Sequence, residues 1–125
     1  MTKWSNMTPR ERDALVAEVV MRWTEVELFC GDYCGVNANP RDPAFAVVPA
    51  FTSDPAALER VKREVERRGW EWSVRREGAF CNATIWSGNA PQPPWARTNW
   101  ADGPTEADAF CHAACLAAGW KEEGE

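Results

Sequence analysis

The chain has 125 residues, a formal net charge of -5, and 26% charged residues. This length predicts a single domain, residues 1–125, that buries its own core without disulfides or a structural metal. The acidic balance argues against non-specific nucleic-acid binding, which needs a basic patch, and is compatible with a basic protein partner or with simple solubility.

The sequence predicts a cytoplasmic protein with no membrane partner. No apolar stretch approaches the roughly 20 residues of a transmembrane helix, and the segment "MTKWSNMTPRERD" lacks the apolar core of a signal peptide. The five cysteines are an odd number, so a complete disulfide framework cannot use them all.

The first helix is predicted over residues 9–23. In "TPRE", Thr8 is placed at the N-cap, Pro9 at the first helical position and Glu11 at the third, which is a capping box. Apolar residues then recur at helical spacing up to Trp23.

A loop, a short strand and a second helix follow. Residues 30–43 are rich in Gly, Asn, Asp and Pro, which predicts a loop. The run at about 44–48 is β-prone, and Pro49 makes it an edge strand. The second helix is predicted over residues 55–68, with Ser53 or Asp54 as its N-cap and Gly69 after its end.

Residues 70–86 predict a β-hairpin with alternating apolar and polar positions. A two-residue loop at Glu77-Gly78 makes three facing pairs apolar on both sides, which selects this register. The predicted pairs are Trp70 with Ile85, Trp72 with Ala83, Val74 with Cys81 and Arg76 with Ala79. Cys81 is therefore expected in the core.

The eight tryptophans are many for this length, and surplus indoles on a surface indicate a binding face. The predicted site combines the polar face of the hairpin with the Pro-rich loop at 87–104. Its residues are Arg75, Phe80, Trp86, Trp95, Arg97, Asn99 and Trp100. The alternative is that Trp95 and Trp100 fold back over the sheet as a lid.

The last helix is predicted over residues 106–118, with "TEAD" as a second capping box. Cys111 and Cys115 share one helix face, so they raise the question of a zinc site completed by Cys30 and Cys34. His112 lies about 100° around the helix from Cys111. The preferred interpretation is that Cys111 and Cys115 are core residues and that no metal is bound.

No catalytic constellation is apparent: the chain has no Walker loop, no G-x-S-x-G and no HExxH. The sequence therefore predicts no enzyme activity, no catalytic residues and no cofactor. Three helices and a small antiparallel sheet, formed by the hairpin and the strand at about 44–48, predict an α+β fold.

The order of these elements resembles the phage ABA sandwich domain family. The resemblance depends on "RERDALVAEVVMRW", on "FTSDPAALERVKREVERRGWEWSV" and on "TEADAFCHAACLAAGW". Phe110, Cys111, His112, Ala113 and Ala114 hold the last five positions of a motif like Ala-Ile-Cys-Arg-Ala-Ala in the last helix. The sequence departs from the family at His112, where arginine is usual, and in the additional Cys115.

The resemblance implies an α-β-α layered sandwich and a phage or prophage gene, without established catalytic residues. A small acidic phage protein of this kind is expected to inhibit a host antiviral defence system by protein–protein contact, in an anti-CRISPR-like role in the host cytosol. The alternatives are a sponge for a signalling nucleotide, with aromatic rings stacked on bases, and a structural or regulatory accessory protein. A homo-oligomer is compatible with each.

Overall fold

The computed structural model of the protein describes residues 3–37, 41, 44–87 and 99–121. These residues form three α-helices and two three-stranded antiparallel sheets, which confirms the predicted α+β class. The helices are α1 (Pro9–Val19), α2 (Pro55–Arg67) and α3 (Glu106–Ala117). The strands are β1 (Thr24–Phe29), β2 (Asp32–Val36), β3 (Phe45–Val47), β4 (Trp70–Glu77), β5 (Phe80–Ser87) and β6 (Trp100–Gly103).

The start of α1 is as predicted, but its end is not. Thr8 and Glu11 form the complete capping box. The helix stops at Val19 because Arg22 adopts a φ of +59° and the Trp23 N–H donates to the Ala17 carbonyl at 2.8 Å. This closure turns the chain back and buries the Trp23 side chain in the core.

The other two helices match their predicted ranges within one residue. Asp54 caps α2 through a side-chain hydrogen bond from the Ala56 N–H. Thr105 caps α3 by accepting from the Asp108 N–H, as predicted. The reciprocal hydrogen bond of the predicted capping box, from the Thr105 N–H to the Asp108 carboxylate, is not formed. The Asp108 carboxylate accepts a hydrogen bond from Arg12 at 2.9 Å, so it joins α3 to α1.

The first sheet has the order β1-β2-β3 and was predicted only in part. Residues 32–36 form a strand, although the predicted loop at 30–43 included them. The connecting turn is Cys30-Gly31, where both residues have positive φ, as a type I′ hairpin turn requires. The strand predicted at about 44–48 is present as an edge strand, Phe45–Val47.

A β-bulge lies in β1, where Glu25 and Val26 face Gly35 alone on β2. Glu25 has a φ of +54°. A Cβ atom at position 35 would lie 2.8 Å from Cγ2 of Val26 and 3.1 Å from the carbonyl oxygen of Thr24. The close approach of the two strands at the bulge therefore requires glycine there.

The second sheet has the order β4-β5-β6, so the strand at 44–48 was assigned to the wrong sheet. Its third strand, β6, comes from the segment that was predicted as a loop. The hairpin turn is Gly78-Ala79, one residue later than predicted, and Gly78 has a φ of +63°. The register is therefore shifted by two residues, and Trp72 faces Ile85. Because the shift is an even number, the predicted faces are preserved.

Helix α3 is the centre of the core. It packs on the inner face of the second sheet, and α1 and α2 also contact it. Trp4, Val16, Phe51 and Val61 belong to the same buried cluster as Phe110 of α3. The strands lie in two sheets rather than one, and the α-β-α layering is not confirmed. No helix in the described part of the chain has the length and apolarity to span a membrane.

Arg10 fastens α1 to the first sheet. Its Nε and Nη2 donate to Asp32 Oδ1 at 3.0 and 2.9 Å, and Nη2 also donates to the Val48 carbonyl at 2.8 Å. Its Nη1 donates to Asp13 at 2.9 Å. Hydrogen bonds from Arg10 are the main reason that the pKa of Asp32 lies below its ordinary value.

Candidate protein-binding surfaces

Four of the predicted site residues lie on the outer face of the second sheet, the face opposite α3. They are Arg75, Phe80, Trp86 and Trp100, and they share this face through the observed pairing of β4, β5 and β6. The same face carries an exposed hydrogen bond of 2.8 Å from Asn82 to Asp102. Trp95 and Arg97 lie outside the described residues.

The structure spreads these four residues along the length of the face. Phe80 follows the hairpin turn and is 61% exposed. Trp86 lies six residues along β5, which is about 20 Å in an extended strand. Arg75 is paired with Asn82, so it lies two residues along from Phe80 and four from Trp86, and it contacts Glu77 at 3.3 Å. Phe80 and Trp86 therefore cannot bind one small ligand together.

Trp86 and Trp100 are diagonal neighbours, because Trp100 faces Thr84 on the adjacent strand. Both indoles are half-buried. Asn99 is separate from the other predicted site residues, because its backbone pairs with the buried Ile85. The Asn99 carbonyl accepts a hydrogen bond from the Ile85 N–H at 2.9 Å. Asn99 also lines a groove of about 190 Å³ at the end of the sheet, together with Trp70, Ile85, Trp86 and Ala117.

A more exposed apolar surface lies on the first sheet, where no site was predicted. Phe29, Phe45 and Val47 share the outer face of that sheet and are 56%, 58% and 56% exposed. The rings of Phe29 and Phe45 pack edge to face with centroids 5.8 Å apart. We call these three residues the Phe29 patch. Cys34 lies on the same face and is buried.

The border of the Phe29 patch is acidic along β1. Glu25 and Glu27 are both exposed, and Glu27 faces Cys34 across the strand pair. Leu28, on the opposite face, is 63% exposed. The available sequence signal was the segment "VELF" before Cys30, in which three of four residues are apolar, but the Gly and Asp after Cys30 favoured a loop.

The four cysteines of the zinc hypothesis do not form one site. Cys30 is exposed at the hairpin turn of the first sheet, whereas Cys111 and Cys115 are fully buried on α3. Cys111 Sγ donates to the Phe51 carbonyl at 3.4 Å. In the described ranges, no three His, Cys, Asp or Glu side chains come together as a metal site would require. Cys81 is buried, as predicted.

Burial also makes the α3 thiols unreactive. Desolvation raises the pKa of Cys111 and Cys115 well above the ordinary thiol value. The thiolate is the form that attacks electrophiles and binds metals. These two cysteines therefore fill core volume as small apolar side chains.

His112 points to a different side of α3 from the cysteines, as predicted. Its ring stacks on Trp4 with centroids 4.8 Å apart and an interplanar angle of 6°. Trp120 packs edge-on against both rings, and the guanidinium of Arg12 lies 5.3 Å from the Trp4 ring centroid. This cluster attaches both ends of the described chain to α3.

The fold and the surfaces define an α+β protein with two uncovered sheet faces among the described elements. Comparisons with protein-family models, with curated proteins and with solved structures give no match to this chain. The resemblance to the phage ABA sandwich family, and the phage origin that it implies, therefore stay predictions.

Proposed function

We propose that the protein is a non-catalytic binding protein that acts by protein–protein contact through the Phe29 patch. The observation that carries the proposal is the exposure of two aromatic rings and a valine side by side on one sheet face. Aromatic side chains, phenylalanine included, are enriched at protein interfaces relative to the rest of the surface. Contiguous exposed apolar surface on a soluble domain is typical of an interaction site.

The charge of the surface favours a basic partner. Glu25 and Glu27 border the patch, and the whole chain has a net charge of -5. Complementary charge speeds association and suppresses binding to acidic surfaces. A protein surface that binds nucleic acid combines positive charge with exposed apolar or aromatic groups. Such a surface is therefore complementary to the Phe29 patch and its acidic border.

The specific function proposed is inhibition of a host antiviral defence complex, in an anti-CRISPR-like role. The family resemblance supports the phage context, the α-β-α layering and the host cytosol as the location. The acidic, apolar patch supports the mode of action, because covering a basic nucleic-acid-binding surface blocks a defence complex without catalysis.

The alternative is a sponge for a signalling nucleotide, with Trp86 and Trp100 stacking on bases. These indoles lie close together, but Arg75 is on the opposite edge strand from Trp100 and four residues along the ladder from Trp86. The groove beside Trp86 is about 190 Å³, below the roughly 300–1,000 Å³ of typical small-molecule sites. The protein-contact proposal is therefore preferred.

The test is phage plating on bacterial strains that each express one defence system, with and without this protein. We expect the protein to raise plating efficiency on at least one strain, and Phe29→Ser with Phe45→Ser to abolish the effect. Phe80→Ser is the matched control, because Phe80 is equally exposed on the other sheet. Equal loss with the control variant, or no rescue on any strain, would overturn the proposal.

The native mass of the purified protein separates the two binding functions. A protein inhibitor is expected to show a whole multiple of the polypeptide mass, with no added small-molecule mass. Added mass that matches a nucleotide, and that disappears in Trp86→Ala, would overturn the protein-contact proposal in favour of the sponge.

A further inference from the structure

Strand β4 is a long, open edge of the second sheet. It has eight residues and pairs with β5 on one side only within the described residues. Its other edge borders a groove that is open to solvent and lined by Glu66, Trp70, Glu71 and Trp72. Exposed strand edges of this length are templates for pairing with another strand.

The pairing of β4 with β5 shows which backbone groups are available at the edge. Glu77 and Phe80 flank the two-residue turn and form a hydrogen-bonded pair. Hydrogen-bonded and non-hydrogen-bonded pairs alternate along an antiparallel ladder. The Ile85 N–H donates to Asn99 on the β6 side, so the facing residue Trp72 belongs to a non-hydrogen-bonded pair. The N–H and C=O groups of Trp70, Trp72, Val74 and Arg76 therefore point away from β5.

We propose that β4 pairs antiparallel with β4 of a second copy of this chain, with Glu71 opposite Arg75 of the second copy. The two-fold symmetry makes this charge pair twice, once at each side of a central Ser73 pair. On the inner face, Trp72 lies opposite Val74 of the second copy, and Trp70 lies opposite Arg76 of the second copy. The result is one continuous sheet of twice three strands.

Self-complementary charge selects this register among those that match the available backbone groups. Because the available groups alternate, the register changes only in steps of two residues. One step in one direction places Glu71 opposite Glu77, which is a repulsive pair. One step in the other direction places Glu71 opposite Ser73 and leaves no charge pair. Opposite charges on facing strands stabilise a pairing, and like charges destabilise it.

The apolar side chains of the edge also favour a covered state. Trp70, Trp72 and Val74 are half-buried against the core and line the inner side of the edge. Pairing with a second copy removes their remaining exposed surface from water, which is favourable. Charged side chains on an edge strand, such as Arg75 and Arg76, are also a common way in which a monomeric protein prevents its edge from pairing. The mass in solution distinguishes the two.

The experiment measures molar mass by light scattering after size-exclusion chromatography over a range of concentrations. We expect twice the 14.0 kDa mass of the chain. Glu71→Arg or Arg75→Glu alone places like charges opposite each other twice and raises the dimer dissociation constant about tenfold or more. The double variant E71R/R75E restores the dimer, because both opposite-charge pairs return with reversed sign.

Mixing the two single variants gives the most specific result. The E71R chain and the R75E chain place opposite charges together in both pairs, so the mixture is expected to form a heterodimer although each variant alone is monomeric. Glu71 is exposed and Arg75 is 73% exposed, so the substitutions leave the fold intact. Glu18→Arg on α1 is the charge-matched control and is expected to leave the dimer unchanged.

A wild-type mass of 14.0 kDa at all concentrations would overturn the proposal. A dimer that E71R and R75E leave intact would also overturn it, because another surface would then hold the copies together. The outcome is independent of the Phe29 patch, which lies on the other sheet. Failure of the dimer and failure of the proposed function are therefore distinguishable.

Discussion

Replacing Asp13 with alanine is expected to destabilise the protein severely, because Asp13 is a buried carboxylate with three hydrogen bonds. It is 1% exposed. Its Oδ1 accepts from the Thr52 N–H at 2.8 Å and from the Thr52 hydroxyl at 2.7 Å. Its Oδ2 accepts from Arg10 at 2.9 Å. The group thus joins α1 to the segment that leads into α2.

The magnitude follows from the groups that Asp13→Ala leaves behind. Two polar groups of Thr52 become buried without their acceptor, at about 1–3 kcal/mol each. Arg10 keeps Asp32 and the Val48 carbonyl, so its charge remains paired. We expect a loss of about 3–5 kcal/mol. Domains of this size have a total stability of about 5–15 kcal/mol.

The assay is urea denaturation followed by tryptophan fluorescence and circular dichroism. Asp32→Ala is the matched control, because it removes a carboxylate from the same Arg10 but at a 47% exposed position. Asp13→Asn keeps one oxygen for Thr52 and is expected to lose less than Asp13→Ala. A loss in Asp13→Ala no larger than in Asp32→Ala would refute the reasoning.

Three further predictions concern thiols and a glycine. Burial raises the pKa of Cys111 and Cys115, so above about pH 9.0 the unfolded chain releases thiol protons that the folded chain keeps. The free energy of unfolding is therefore unaffected by these thiols below that pH and decreases above it. The fall is about 1.4 kcal/mol per pH unit for each thiol, and denaturation of the Cys111→Ala variant should show a shallower dependence. In the native protein a thiol reagent should label the exposed Cys30 within minutes and Cys111 only after unfolding; equal rates would contradict the burial. A Cβ at position 103 would lie 2.7 Å from Asp108 Oδ2, so Gly103→Ala should lower the melting temperature more than Gly31→Ala, which has open space but positive φ.

The hairpin of the second sheet shows what alternation can and cannot predict. Alternating side chains identified both faces, and Cys81 and Ile85 are buried as expected. The pairing itself was wrong by two residues, because an even shift leaves the same side chains on the same face. Turn geometry decides between the two registers. Gly78 with positive φ is suited to the first central position of a type II′ turn.

The first sheet was missed for a local reason. A type I′ turn is ordinarily indicated by Asn-Gly or Asp-Gly, whereas here Cys30 adopts the left-handed conformation before Gly31. The bulge at Glu25 also interrupts the alternation of β1. Short strands with an irregular pattern resemble a loop when only composition is considered.

The candidate site was predictable only as a set of faces. The outer position of Phe80, Arg75 and Trp86 followed from the alternation of the hairpin. Their separation along the strand depends on the extended length of β5, and the third strand β6 comes from a segment whose composition favoured a loop. The exposure of Phe29 and Phe45 depends on tertiary packing, which no local pattern specifies.

The ion pair between Arg12 and Asp108 has a consequence for the order of folding. It joins residues 96 positions apart in the chain. The turns at Cys30-Gly31 and Gly78-Ala79, in contrast, connect paired strands that are consecutive in the chain. Loop closure costs more entropy for distant contacts, so the two hairpins are expected to form first and to do so independently. Docking of α3 against α1 is then the late, rate-limiting event. Substitutions that weaken the first-sheet hairpin should therefore mainly slow folding, because its contacts are already formed at the rate-limiting step, while substitutions in the α1–α3 contact should also accelerate unfolding.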